Sequence, residues 1–322
     1  MKIIRTVLLL GHLIVLGLLF GTIINAYIPP SIFAGFDLLS LAFPVLLILH
    51  FILTILWIMM WKRRAFIFII ATAFLYNPIC RWFNWNTIKG ESNFKVVTLN
   101  VKGAKYGKSK IENFLKDQNA DLVFLQEDAA QVVLGDQPIR HSLVAIYSPH
   151  EITNKTPIDL EEGVARSFYA DIDFNGKKIR VINVYLESFQ IQKNMVKPSE
   201  DTEVNKRKAR KLLGHLLPTF KEHEKQIRII KKIANDSPYP VIIAGDFNSV
   251  PNSWEYYHIS KGLTDSFMSV GRGLGTTFHD FKFPIRIDYI FTSSDFKPIK
   301  IKVDRNQKIS DHYPTIAEYN FQ

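Results

Sequence analysis

Residues Val241 to Ser253, VIIAGDFNSVPNS, set an apolar run directly against Gly-Asp-Phe-Asn. The β-branched and small residues at 241–244 predict a buried strand, so Gly245, Asp246 and Asn248 fall just past its end. A carboxylate and a carboxamide there occupy the position where α/β folds put their chemistry. Taken alone, an acid after a strand is more often a turn former than a catalyst. The reading therefore depends on what else in the chain ends in the same way.

Five other segments place a polar group at a strand end. NFKVVTLNVKG, from Asn93, predicts a strand over Phe94–Leu99 that ends on Asn100. SKIENFLKDQNADLVFLQED, from Ser109, predicts a helix with Ser109 as N-cap and Ile111, Phe114 and Leu115 on its apolar side. A buried strand over Asp121–Leu125 then delivers Gln126 and Glu127 to the same rim. FYADIDFNGKKIRVINVYLES alternates about Asn175-Gly176, the pair suited to a type I′ turn, and predicts a hairpin whose second strand ends near Tyr185. RIDYIFTS predicts a strand carrying Arg286 and Asp288, and KISDHYPTIAEYNF sets Ser310-Asp311-His312 immediately before a last strand.

The chain has 322 residues, 13% of them aromatic, enough for a large core. Its apolar residues are unevenly spread. Residues 1–90 hold seven Lys or Arg against one acid, Asp37, which is +6 of the formal +10 and leaves +4 for the rest. Val7–Ile28 and Leu38–Met60 are each long enough to cross a bilayer, and Ala65–Cys80, followed by Trp82, Phe83 and Trp85, is expected to be a third crossing. No Ala-x-Ala-like site follows the first run, so an uncleaved anchor is expected. Lys2 and Arg5 precede the first run and Lys62-Arg63-Arg64 follows the second, whereas the Tyr27–Asp37 loop has no base. Both basic clusters then belong on the cytoplasmic side, and three crossings put everything after about Asn86 outside the cytoplasm. His12 and His50 within these runs are expected to be neutral and hydrogen-bonded between helices. Cys80, the single cysteine, excludes an intramolecular disulfide and a cysteine-based zinc site. The expected domains are an anchor over 1–86 and a soluble catalytic domain over 92–322.

In the order Leu99-Asn100, Leu125-Gln126-Glu127, Gly245-Asp246-Phe247-Asn248, Arg286-Ile287-Asp288-Tyr289-Ile290 and Ser310-Asp311-His312-Tyr313-Pro314, the chain resembles the endonuclease/exonuclease/phosphatase superfamily. The resemblance covers about Phe94 to Phe321. It implies a four-layer α/β sandwich, two mixed sheets packed face to face with helices outside and the active site at one rim. It also implies metal-assisted hydrolysis of a phosphate ester. Glu127, with Asn100 and in some members Asp311, resembles the metal site, whose hard oxygens suit Mg²⁺ or Mn²⁺. Asp246 resembles the carboxylate that orients or deprotonates water, Asn248 the amide that bonds the phosphoryl group, and Asp288–His312 the carboxylate–imidazole pair. Either Asp246 or His312 can be the base. Where many members carry histidine, Asn183-Val184-Tyr185-Leu186 has Tyr185, whose hydroxyl can bond the phosphate.

The superfamily specifies the reaction better than the substrate. A membrane tether and an extracytoplasmic domain argue for a lipid head group or another phosphodiester at the bilayer surface. The alternatives are a nuclease acting on DNA or RNA and an inactive membrane-tethered binding module. Lys193–Lys232, at +7, is the one concentrated basic stretch. It reads as a helix with Phe220, Ile227, Ile230 and Ile233 on one side and charge on the other, open to solvent, anionic lipid or a polyanion.

Overall fold

The computed structural model describes all residues except 1, 61–62, 87, 89, 136–137, 161–165 and 281–284. Lys62 and Lys89 lie outside that set. The N-terminal segment folds as α1 (Lys2–Ile24), α2 (Pro30–Phe33), α3 (Gly35–Met59), α4 (Arg64–Phe74) and α5 (Tyr76–Cys80). Helices α1 and α3 are long and apolar enough to cross a membrane, at about 35 and 38 Å for 1.5 Å of rise per residue. The third run is not one helix, contrary to expectation. Pro78 has no N–H for the Phe74 carbonyl and its ring crowds that position. The helix breaks at Leu75 and leaves α4 with 11 residues, about 16 Å against a bilayer core of about 30 Å.

Although broken, the run follows the α1–α3 hairpin lengthwise. Ala65 and Phe68 pack with Leu8, Leu9 and Trp57, and Leu75 packs with Leu19 and Phe43. Between these levels the Thr72 hydroxyl donates to the Phe68 carbonyl, so it accepts from His50 Nε2 at 2.9 Å. His50 Nδ1 must then accept from His12 Nε2, also at 2.9 Å, which makes His50 neutral. The two histidines link helices, as expected.

The remaining chain supplies β1 (Phe83–Trp85), β2 (Phe94–Asn100), α6 (Lys108–Asp117), β3 (Leu122–Gln126), β4 (Ile139–His141), β5 (Val144–Tyr147), β6 (Glu151–Ile158), β7 (Arg166–Phe174), β8 (Lys177–Tyr185), α7 (Lys193–Val196) and α8 (Thr202–Asn235). It continues with β9 (Val241–Asp246), α9 (Trp254–Ser260), β10 (Thr264–Asp265), α10 (Ser266–Val270), β11 (Arg272–Leu274), β12 (Asp288–Thr292), β13 (Phe296–Val303) and β14 (Thr315–Phe321). Two six-stranded sheets form, in the orders β13-β14-β2-β3-β5-β4 and β10-β12-β9-β8-β7-β6. The pairs β2–β3 and β8–β9 are parallel and the others antiparallel, so both sheets are mixed.

Alternation along the strands sorts the side chains into layers. Val96, Phe124, Val181, Ile242 and Ile290 fill the space between the sheets. Val97, Leu99, Val123 and Leu125 turn outward to Ile111 and Leu115 of α6. Ile182, Ile243 and Phe291 turn outward to Ile227 and Ile230 of α8. Helix, sheet, sheet and helix make the four-layer sandwich that the family resemblance implies. Two local details differ. Helix α6 starts at Lys108 behind Gly107, whose φ of 117 favours glycine, so Ser109 is not the cap. Strand β12 starts at Asp288, two residues after Arg286, which bonds both oxygens of Asp265, at 2.9 and 2.5 Å.

The sandwich sits on the end of the hairpin where α1 passes to α3. The Asn252 carbonyl accepts from Asn25 Nδ2 at 3.0 Å and Ser40 Oγ at 2.7 Å. The Asn252 side chain accepts from Arg81 at 2.9 Å and donates to the Pro78 carbonyl at 3.2 Å. Asp37 accepts from the Trp254 N–H at 2.9 Å, at the start of α9, where unpaired N–H groups favour a carboxylate. Asn252→Ala strips the Arg81 and Pro78 bonds and leaves the carbonyl in place. Bonds to a charged group are worth about 1.5–3 kcal/mol, so we expect faster amide hydrogen exchange over residues 248–256 and a lower thermal midpoint. Unchanged exchange there would show that the docking is held elsewhere.

Candidate active site

Strand register assembles the site in two halves. In one sheet Asp246 of β9 lies opposite Asp288 of β12, and Tyr185 of β8 lies beside Asp246. In the other, Asn100 of β2 lies beside Gln126 of β3, which leaves Glu127 one residue past the strand at φ 50. Asn100, fully buried, joins the halves. Its Nδ2 donates to Glu127 Oε1 and to Asp246 Oδ2, both at 2.9 Å, while its oxygen accepts from the Lys102 N–H at 3.0 Å. Beneath it Gln126 Nε2 donates to Asn183 Oδ1 at 2.8 Å, a second tie between the sheets. Gly245, at φ 145, lets β8 and β9 close up here, since a Cβ would come 2.0 Å from the Val184 carbonyl oxygen.

His312 is buried against both acids of the first half. A carboxylate can only accept, so Nδ1–H donates to Asp288 Oδ2 at 2.8 Å, and Nε2 faces Asp246 Oδ2 at 3.8 Å. Burial alone lowers the pKa of this imidazole, but Asp288 and Asp246 outweigh it and push it up to about 10. Burial also pushes Asp246 up, to about 7; His312 opposes the rise and Asp288 adds to it. The backbone around the pair is held by two hydroxyls. Thr277 Oγ1 accepts from the Ile287 and Asp288 N–H groups at 3.0 and 3.1 Å, and Ser310 Oγ donates to the Asn100 carbonyl at 2.7 Å.

Lys102 Nζ lies 3.6 Å from Glu127 Oε2 and 3.5 Å from Asp311 Oδ2. Burial disfavours this ammonium, but Glu127 and Asp311 together raise its pKa. Two carboxylate oxygens therefore converge on a point that already carries positive charge, an all-oxygen setting that fits a hard divalent cation. Asp246, Asp288 and His312 also bring one ligand atom each within 4.8 Å of the others. There the imidazole supplies the positive charge, as Lys102 does between Glu127 and Asp311. The Tyr185 hydroxyl donates to Glu127 Oε1 at 3.3 Å. Burial, then Glu127 and Asp246, push this phenol well above its ordinary pKa, so it stays a protonated donor. Asn248, at φ 46, donates its N–H to Asp246 Oδ1 at 2.9 Å and its Nδ2 to the Leu186 carbonyl at 3.0 Å.

The residues singled out from the sequence, Asn100, Glu127, Tyr185, Asp246, Asn248, Asp288, Asp311 and His312, are thus linked by one set of short contacts. Sequence reasoning missed Lys102, Thr277 and the Gln126–Asn183 tie. Lys102 reads as an ordinary solvated charge in a loop, and Thr277 stands in an irregular stretch with no periodicity to mark it. Asn183 reads as an ordinary polar residue inside the strand predicted to end near Tyr185.

The family model described as Endonuclease/Exonuclease/phosphatase family matches residues 97–312, and a model described as a domain of unknown function matches residues 5–82. No curated protein matches the chain significantly. Solved structures do. Zebrafish (D. rerio) TDP2 complexed with single-strand DNA product superposes with a TM-score of 0.53 at 18% identity, over 71% of this chain and 100% of that one. A mannosyl-6-phosphatase of Bacteroides thetaiotaomicron gives 0.51 at 18%, over 71% and 100%. The human Nocturnin catalytic domain with bound sulfate gives 0.52 at 14%, over 73% and 96%. At such identities the likeness is one of fold. The family model spans the chain from within β2 to His312 and so takes in every strand end that lines the rim, and on that match the chain belongs to the endonuclease/exonuclease/phosphatase family.

Proposed function

We propose that the protein is a membrane-anchored, Mg²⁺-dependent hydrolase that cleaves a phosphodiester in a lipid head group, with residues 1–86 as anchor and 92–322 as an extracytoplasmic catalytic domain. The observation that carries this reading is that the loops of the site rest on the apolar helices. Val250, just beyond Asp246 and Asn248, and Ile287, next to Asp288, share a buried cluster with Val15, Leu19, Phe43 and Leu75. Phe278, whose ring meets His312 at 4.9 Å, packs on the same cluster. Phe189, shortly after Tyr185, packs with Ala34 and Leu38. The outer faces of α1 and α3 expose Ile3, Val7, Ile14, Ile48, Ile52 and Ile55, an apolar surface that calls for a bilayer or a partner. A phosphate at the bilayer surface is then close to the rim by construction.

The orientation follows from charge. Lys2 and Arg5 lie at the opposite end of α1 from Asn25, which touches the sandwich. Arg63 precedes and Arg64 begins α4, which runs back along the hairpin toward Arg81 and Asn252. Basic clusters on the cytoplasmic side therefore support a catalytic domain outside it.

Within the site, Glu127, Asp311 and Asn100 are the residues that would hold the metal. Glu127, Asp246, Asp288 and Asp311 set four carboxylates against the two cations Lys102 and His312, a deficit that a divalent ion offsets. When bound, Mg²⁺ supplies Lewis-acid stabilisation of charge on the phosphoryl oxygens. Asp246 orients the attacking water and takes its proton. His312, steered by Asp288, presents Nε2–H to the same region as a fixed positive charge, and the Tyr185 hydroxyl and Asn248 amide bond the phosphoryl group. The second reading, an extracytoplasmic nuclease, draws on the basic Lys193–Lys232 stretch.

A substrate panel on the purified full chain decides between these readings. Mg²⁺-dependent release of a phosphorylated head group, abolished by chelator, is expected; faster cleavage of single-stranded DNA would favour the nuclease, and no turnover of either would leave a binding module. His312→Ala and Asp246→Ala should each lower turnover at least about 10²-fold, and no Mg²⁺ concentration should rescue the histidine variant. Glu127→Gln should recover part of its activity as Mg²⁺ is raised, and a flat response would remove Glu127 from the metal site. Topology is tested in intact cells with Cys80→Ser/Lys297→Cys. Labelling of the new thiol by a membrane-impermeant maleimide is expected, and labelling only after lysis would put the catalytic domain in the cytoplasm.

A further inference from the structure

A cavity of about 600 Å³ opens between the C-terminal half of α8 and α9, and none of its lining residues belongs to the active site. Its walls carry Arg228, Lys231, Lys232 and Lys261, with Asp236 as the acid among them. Trp254 and His258 stack face to face at 3.7 Å to form an aromatic wall, and the Arg228 guanidinium lies 5.1 Å above the Trp254 ring. Lys231 is fixed in place, donating to the Ile259 and Lys261 carbonyls. Burial and the nearby Lys261 charge bring its pKa down to about 8. Arg228 is met by Glu224 at 2.8 Å, whereas Lys232 and Lys261 take part in none of the ion pairs among the described residues.

On an ordinary solvated helix, basic side chains fan apart into water. Here four converge on one concavity with two acids to balance them, and at least one is partly desolvated. Arg228, Lys232 and Lys261 are exposed at the mouth and Lys231 is half-buried; like charges gathered at one concavity repel, and a bound anion relieves that repulsion. The volume lies within the range of about 300–1,000 Å³ typical of small-ligand sites. We propose that this cavity binds a phosphate-bearing anion, either the head group of an anionic lipid at the bilayer surface or a free phosphorylated small molecule.

The site is wired to the membrane hairpin. Glu224, which holds Arg228, accepts from the Ser31 N–H at 2.7 Å, and the Trp254 N–H donates to Asp37. An anion bound between Arg228 and Trp254 therefore braces the same contacts that seat the sandwich on α2 and α3. The proposal concerns binding alone and stands whether or not the hydrolase reading does.

The test uses the full chain with chelator present, so that no turnover contributes. In one arm, protein in neutral detergent is titrated with inorganic phosphate against chloride at equal ionic strength. In the other, it is held in phosphatidylcholine nanodiscs with or without phosphatidylglycerol. A saturable rise in thermal midpoint of about 5 °C at a hundredfold excess over the dissociation constant is expected in at least one arm. The rise should be lost in Lys232→Gln/Lys261→Gln, substitutions at two exposed residues that break no side-chain bond among the described residues. A response to inorganic phosphate identifies a soluble ligand, and one confined to phosphatidylglycerol discs identifies a lipid. Equal responses in wild type and double variant, or none in either arm, would overturn the proposal.

Discussion

One buried carboxamide sets the geometry on which the site depends. Asn100 gives one N–H to Glu127 and the other to Asp246, acids that belong to different sheets and repel one another in a poorly solvated rim. No other side chain of that size offers two donors and an acceptor in one plane. An aspartate would add a third negative charge, and a leucine would remove one donor from each carboxylate, Glu127 Oε1 and Asp246 Oδ2. The bond distances hold only if both sheets keep their separation and slide, which the between-sheet core and the Gln126–Asn183 tie enforce.

The charge balance around that amide explains why the neighbouring groups depart from their ordinary acidities. Asp246 has an imidazolium and a carboxamide beside it, yet burial still pushes its pKa up. His312 goes up for the opposite reason, because two carboxylates outweigh the cost of burying it. Lys102 performs the equivalent task for Glu127 and Asp311 from a more open position. Each half of the rim thus carries its own cation.

The same reasoning extends to the hairpin. Asn25, just past the end of α1, and Asp37 and Ser40 of α3 are polar groups of a largely apolar segment, and each has a partner at Asn252 or Trp254. That stretch is continuous with Asp246 and Asn248, so the helical segment and the rim are mechanically one piece. Val250 and Ile287 add the apolar part of the contact.

Much of this was legible in the sequence because it rests on local rules. Period-two alternation marked the strands, Asn175-Gly176 marked the hairpin, at φ 53 and 82, and polar residues at strand ends marked Asn100, Glu127, Asp246 and His312. Apolar length marked α1 and α3, and Pro78 marks where the third run breaks. Tertiary structure decided what no local rule carries. That Asp246 faces Asp288 is a matter of register between strands 42 residues apart in the chain. That Lys102 stands between two acids depends on three separate loops meeting. That Asp37, a lone acid in an apolar segment, bonds the first N–H of a helix 217 positions away follows from how the helical segment and the sandwich fit together. Sequence pattern determines which face of an element is buried, because burial free energy is nearly additive along a strand or helix. It does not determine which buried faces meet, because that is set by the packing of whole layers.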